Sequence, residues 1–157
     1  MCIKTIPLAA MLLAASPAHA LLCGTILDPM SVSATALSFG NYIPTGAGFA
    51  NTSVKVSCGL LGLDLLPNFT VSLSAGNAGT PSGRYLAMSG SHLNYNIYAD
   101  PGFATVWGDG SSGSVTQTFN SVLSLGSINF TGYGRIPAGQ YVAAGPYTDV
   151  VTVTVSY

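Results

Sequence analysis

The stretch Val150-Val151-Thr152-Val153-Thr154-Val155-Ser156-Tyr157 decides the fold. Val151, Val153, Val155 and Tyr157 fall on one side, and Thr152, Thr154 and Ser156 on the other. A period of two is the signature of a half-buried strand and is incompatible with one face of a helix. The same alternation recurs upstream. Val54, Val56 and Cys58 alternate with Ser53, Lys55 and Ser57, and Phe69, Val71 and Leu73 with Thr70, Ser72 and Ser74. Leu93, Tyr95, Ile97 and Ala99 alternate with Asn94, Asn96 and Tyr98. Ser31–Phe39, Ser114–Leu125 and Ile128–Tyr133 are further strand candidates. Gly-, Pro- and Asn-rich turns separate them. About seven short strands spaced in this way predict an all-β domain, a β-sandwich with almost no helix.

Composition agrees. Of 157 residues only 4 are Lys or Arg and 5 are Asp, with no Glu, while 48% are apolar and 19 are Gly. Soluble helices need Glu, Lys and Arg on their wet face, so a helical bundle is excluded. A net charge of −1 gives no basic footprint for nucleic acid. An apolar, charge-poor chain is also unlike a disordered one.

Residues 1–20 read as a cleaved signal peptide: Lys4, a short apolar run from Ile6 to Ala15, and the small-x-small site Ala18-His19-Ala20. The run is too short to span a bilayer. Residues 21–157 then form one domain without linker or repeat. It retains Cys23 and Cys58, an even pair in an exported chain, which predicts one disulfide. Closing that loop stabilises the fold by roughly 4 kcal/mol. Cys58 shares a face with Val54 and Val56, where a buried disulfide belongs. A lipid-modified Cys23 is the alternative, disfavoured by Leu22 before it.

No catalytic or metal-binding set is predicted, and no cofactor or small-molecule substrate. After cleavage only His92 remains, which leaves no histidine-based triad or zinc site to build around it. Gly108-Asp109-Gly110-Ser111-Ser112-Gly113 matches G-x-G-x-x-G in letters only. A strand-like run follows it, and no acidic residue occurs before Asp149. The five aspartates are dispersed, and Asp28 and Asp100 precede prolines as turn residues do.

Six segments in order carry a resemblance. They are Leu37-Ser38-Phe39-Gly40-Asn41-Tyr42-Ile43-Pro44, Val56-Ser57-Cys58, the run Leu93–Asp100, Trp107-Gly108-Asp109-Gly110, the run Tyr133–Gln140, and Gly145–Asp149 with the final strand. Over Cys23–Tyr157 the chain resembles the spore coat protein U domain family, a fold also used by archaic chaperone–usher pilins of the Csu type. The resemblance implies an immunoglobulin-like sandwich that is incomplete, lacking its last strand. Its open groove is first filled by a periplasmic chaperone. At the outer-membrane usher, the N-terminal extension of a neighbouring pilin subunit then replaces the chaperone. Val151, Val153, Val155 and Tyr157 would line the acceptor groove. The sequence ends with its strand still running, which fits an unpaired neighbouring position.

One departure bears on position in a fibre. After cleavage at Ala20 only Leu21 and Leu22 precede Cys23, about 7 Å of extended chain, against roughly 33 Å for a ten-residue donor strand. The expectation is a non-enzymatic subunit of a surface pilus or coat that accepts a strand without donating one, as a tip or terminating subunit. Alternatives are a self-complete secreted coat protein and a surface-binding adhesin module. The leucine-rich turn carrying Leu61, Leu63 and Leu65 is the candidate surface-contact loop. The expected location is the periplasm in transit, then the cell surface.

Overall fold

The computed structural model describes residues 30–58, 67–120 and 126–157. Among them are nine strands: β1 (Met30–Ala34), β2 (Gly48–Cys58), β3 (Phe69–Leu73), β4 (Tyr85–Met88), β5 (Ser91–Asn94), β6 (Asn96–Tyr98), β7 (Gln117–Phe119), β8 (Ser127–Ile136) and β9 (Val153–Ser156). The helical content among these residues is one 3-10 turn, Pro81–Gly83. Strands β1-β2-β8-β6 form one antiparallel sheet and β7-β3-β9 a second, while β4 and β5 form a separate hairpin.

The two larger sheets pack as an immunoglobulin-like sandwich. Val54, Val56, Ile97 and Ile136 face inward from the first, and Phe69, Val71 and Leu73 from the second. Trp107 lies fully buried between them and donates its indole N–H to the Val71 carbonyl at 3.0 Å. A buried Trp needs such an acceptor. Cys58 is buried among the inward valines. Its predicted partner Cys23, the signal peptide and Leu61, Leu63 and Leu65 all lie outside the described residues.

Several strand limits differ from the alternation. The first strand runs over Met30–Ala34, with Thr35 N–H adding a last bond to the Ser53 carbonyl, and Leu37 and Phe39 then leave the sheet edge and turn onto β8. Gly134 makes this possible: a Cβ there would lie 2.8 Å from Leu37 and 2.9 Å from Phe39. The run Leu93–Ala99 is two strands in different sheets, broken at Tyr95. At the break the Asn96 side chain accepts the Ile97 N–H at 2.9 Å. Strand β4 has no counterpart in the alternation reading. His92 lies on β5, its ring stacked 4.0 Å from that of Tyr85.

Two of the resembling segments meet in space. The Tyr42 hydroxyl donates to the Pro137 carbonyl across 95 positions, and Gly139 N–H donates to the Pro44 carbonyl. Gln140 reaches on to both backbone groups of Asn94.

Candidate functional site: an open groove between the sheets

Strand β9 pairs with β3 in the register Val71↔Val155 and Leu73↔Val153. Ser74 extends this pairing: its N–H donates to the Thr152 carbonyl, and its hydroxyl accepts the Thr152 N–H. Backbone groups of alternate residues point to opposite edges. With Thr152 turned to β3, those of Val151, Val153 and Val155 turn away. Among the described strands β9 has no partner on that side. It therefore offers about six main-chain hydrogen-bonding groups along an open edge.

Across the opening lies β1. Val32 stands opposite Val56, and Ala34 opposite Val54. Directly opposed residues share a face, so Val32 and Ala34 are aimed at the sandwich interior. Yet Val32 is 44% exposed, and Ala34 is exposed too. Among the described residues no strand covers the interior in front of β1. A cavity of about 420 Å³ runs from there to the β9 edge. Leu37, Phe39, Leu86 and Val151 line it, and the core residues Val54, Leu73 and Ile97 are reached at its floor.

Of the residues the sequence singled out, Val151, Val153 and Val155 pack half-buried against the core beside this groove. Tyr157 does not. It follows the last paired residue and is 69% exposed. Leu61, Leu63, Leu65 and Cys23 are not among the described residues.

The groove has a polar end that alternation does not reveal. Asp149 Oδ2 accepts the Tyr95 hydroxyl at 2.8 Å, while Oδ1 accepts the N–H groups of Asn77 and Val150, each at 2.7 Å. Gly76 passes so close, at φ +63°, that any Cβ there would collide with the carboxylate. Burial above all, then the hydrogen bond and charge of Asp149, pushes the Tyr95 phenol well above its ordinary range. Tyr95 thus stays a fixed donor and is a poor proton source near neutrality.

Behind this wall sits Arg84, 1% exposed. It donates to the carbonyls of Leu73, Ser74 and Trp107 and to Asn96 Oδ1. Burial lowers its pKa, with Tyr95 and Asp149 opposing. Arg84 fixes the end of β3 where β9 attaches. The scarcity of charge was the one available signal: a basic residue among so few is a candidate for a specific role.

The other sequence features are structural. Asp100 caps its own loop through the N–H groups of Gly102, Ala104 and Thr105, and Asp109 accepts from Ser111. The glycine-rich stretch 108–113 is a turn, with Gly110, Ser112 and Gly113 at positive φ and no helix after it. Among the described residues no three His, Cys, Asp or Glu side chains group as a metal site would, and no helix is long and apolar enough to cross a membrane. Chemically, the groove can take up alternating apolar side chains and pair with an extended backbone.

The model of the Spore Coat Protein U domain matches residues 10–154. Protein U of Myxococcus xanthus is 30% identical over 132 residues, which cover 77% of this chain and 71% of that protein. A chain of the CsuC-CsuE chaperone-tip adhesion subunit pre-assembly complex, from archaic chaperone-usher Csu pili of Acinetobacter baumannii, superposes with a TM-score of 0.60 at 20% identity. The match covers 85% of this chain and 40% of that one. That likeness is one of fold.

Proposed function

This chain belongs to the Spore Coat Protein U domain family, and on that premise we propose that it is a non-enzymatic structural subunit of a surface pilus or coat, completed by a strand from a partner. The observation that carries the reading is the uncovered interior between β1 and β9. Val32 and Ala34 point inward but are exposed, and among the described strands the β9 edge opposite them has no partner. Laying an extended segment there buries apolar surface at roughly 25 cal/mol per Å² and satisfies the open edge. The solved relative is a chaperone–subunit complex, which favours a periplasmic chaperone as the first occupant. A neighbouring pilin's strand, exchanged at the outer-membrane usher, would follow. This route requires export, which the Ala18-His19-Ala20 site supports.

Within that reading, a tip or terminating position rests on the two residues between the predicted cleavage site and Cys23. N-terminal sequencing of the exported protein tests it; a mature start well upstream of Leu21 removes the idea. The main proposal is tested by native mass after periplasmic expression, with and without a chaperone from the same source. The expected result is a 1:1 complex, with aggregation or degradation of the chain alone. A stable, protease-resistant monomer would mean that the sandwich completes itself.

A further inference from the structure

The outer face of the larger sheet carries a second feature, on the side away from the core. Phe49 stands opposite Arg135, Asn51 opposite Tyr133, and Tyr133 opposite Tyr98. The intervening residues Ala50, Gly134 and Ile97 turn inward, so this set faces outward. Phe103 packs on it from the loop after β6. Its ring lies 5.3 Å from Phe49 and 5.4 Å from Tyr98, and the Arg135 guanidinium lies 5.5 Å from its centroid.

Three observations set this patch apart from ordinary surface. Phe103 has φ +57°, a conformation that a bulky side chain seldom adopts, and the Asp100 cap holds the loop that imposes it. Such outliers persist where the surroundings enforce them and cluster at functional sites. Phe49 is 58% exposed although it lies on a long central strand. Finally, Arg135 Nε is buried without an acceptor, and among the described residues no carboxylate pairs with this guanidinium. Asp100, on the loop that carries Phe103, is engaged by backbone N–H groups of that loop.

We propose that this face binds an acidic polysaccharide: Arg135 pairs with a uronate carboxylate, and the sugar ring stacks on Phe49. The contact with the Phe103 ring restrains the Arg135 guanidinium, and a guanidinium recognises a carboxylate through two parallel N–H donors. The hydroxyls of Tyr98 and Tyr133 make no internal hydrogen bond among the described residues, so they and the Asn51 amide are available to sugar hydroxyls. A protein partner would need a pocket for its anchoring side chains. Neither of the two large cavities includes any of these residues. The inference does not depend on strand complementation.

The test is affinity electrophoresis of the full exported chain in gels containing polygalacturonate or neutral dextran, with thermal unfolding of each variant alongside. Polygalacturonate should retard the protein and dextran should not. Arg135→Gln and Phe49→Ser should each weaken retardation at least tenfold, Arg135→Lys less, and 0.5 M salt should weaken it for the parent. Phe49→Ser alters an exposed side chain and keeps the test decisive if Arg135→Gln does not fold. Equal retardation by dextran, no retardation by polygalacturonate, or undiminished binding by a folded Phe49→Ser variant would each overturn the proposal.

Discussion

Val32 stands directly opposite Val56 on the β1–β2 ladder, yet Val56 is fully buried and Val32 is 44% exposed. Two neighbours on one face of one sheet normally share an environment. Among the described strands the second sheet, β7-β3-β9, has none in front of β1, and the difference in exposure reflects that. Partner capture should therefore respond to side chains that line the gap and ignore those that point out of it.

Val153→Asp places a charge in the apolar groove, whereas Thr154→Asp places one on the solvent side of the same strand. Co-purification with the chaperone should fall at least tenfold for the first and stay near the parent level for the second. Equal loss in both would point to strand stability as the cause and count against the groove.

Arg84→Met removes the donor serving three carbonyls and one amide oxygen in a buried position. The stranded acceptors should cost about 3–5 kcal/mol, read by urea unfolding of the strand-completed protein. Arg84→Lys, which cannot reproduce the planar fork, should still cost about 2 kcal/mol.

Gly134→Ala should destabilise by about 1–3 kcal/mol, because the new Cβ meets Leu37 and Phe39 at under 3 Å. Gly79→Ala, with open space around it, is the control and should change stability little. Thermal unfolding of both variants checks the contrast.

The Tyr95 phenol has a folded pKa raised above its ordinary value of 10.0. The folded state then keeps a proton that the unfolded chain releases, so stability is full below about pH 10 and declines above it. Tyr95→Phe should lose the Asp149 hydrogen bond at neutral pH, about 1 kcal/mol. It should also flatten the alkaline decline in a urea midpoint series from pH 8 to 11. An unchanged slope would mean that other groups set that limb.

The predicted Cys23–Cys58 bond is checked by thiol titration of exported protein in denaturant. No reactive thiol should appear before reduction and two afterwards. Cys58→Ser should cost roughly 4 kcal/mol if the closed loop acts through chain entropy.

Alternation made the sandwich legible, because Val54, Val56, Phe69, Val71 and Leu73 are inward at every second position. It put Val151, Val153 and Val155 on one face of the last strand for the same reason; the groove beside them was implied by the family resemblance alone. It missed what period two does not encode. Leu37 and Phe39 alternate as a strand would, but the space beside Gly134 on a distant strand draws them off the sheet. Val32 and Ala34 lie in a strand candidate whose pattern says nothing of what covers its inner face, and both are exposed. Arg84 and Asp149 act through backbone groups remote in sequence, which pattern cannot reveal. Tyr157 continues the alternation past the residue where pairing ends.

Strand β9 pairs with β3 across the long stretch between Leu73 and Val153, and Tyr42 meets Pro137 across 95 positions. Such distant pairings make for high contact order and slow folding. The three-stranded sheet cannot form until its most C-terminal strand is available, and that strand also bears the open edge. Late sheet closure and vulnerability to aggregation thus converge on one short segment. A helper that grasps β9 would do more than cover a groove: it would set the moment at which the chain commits to its native topology.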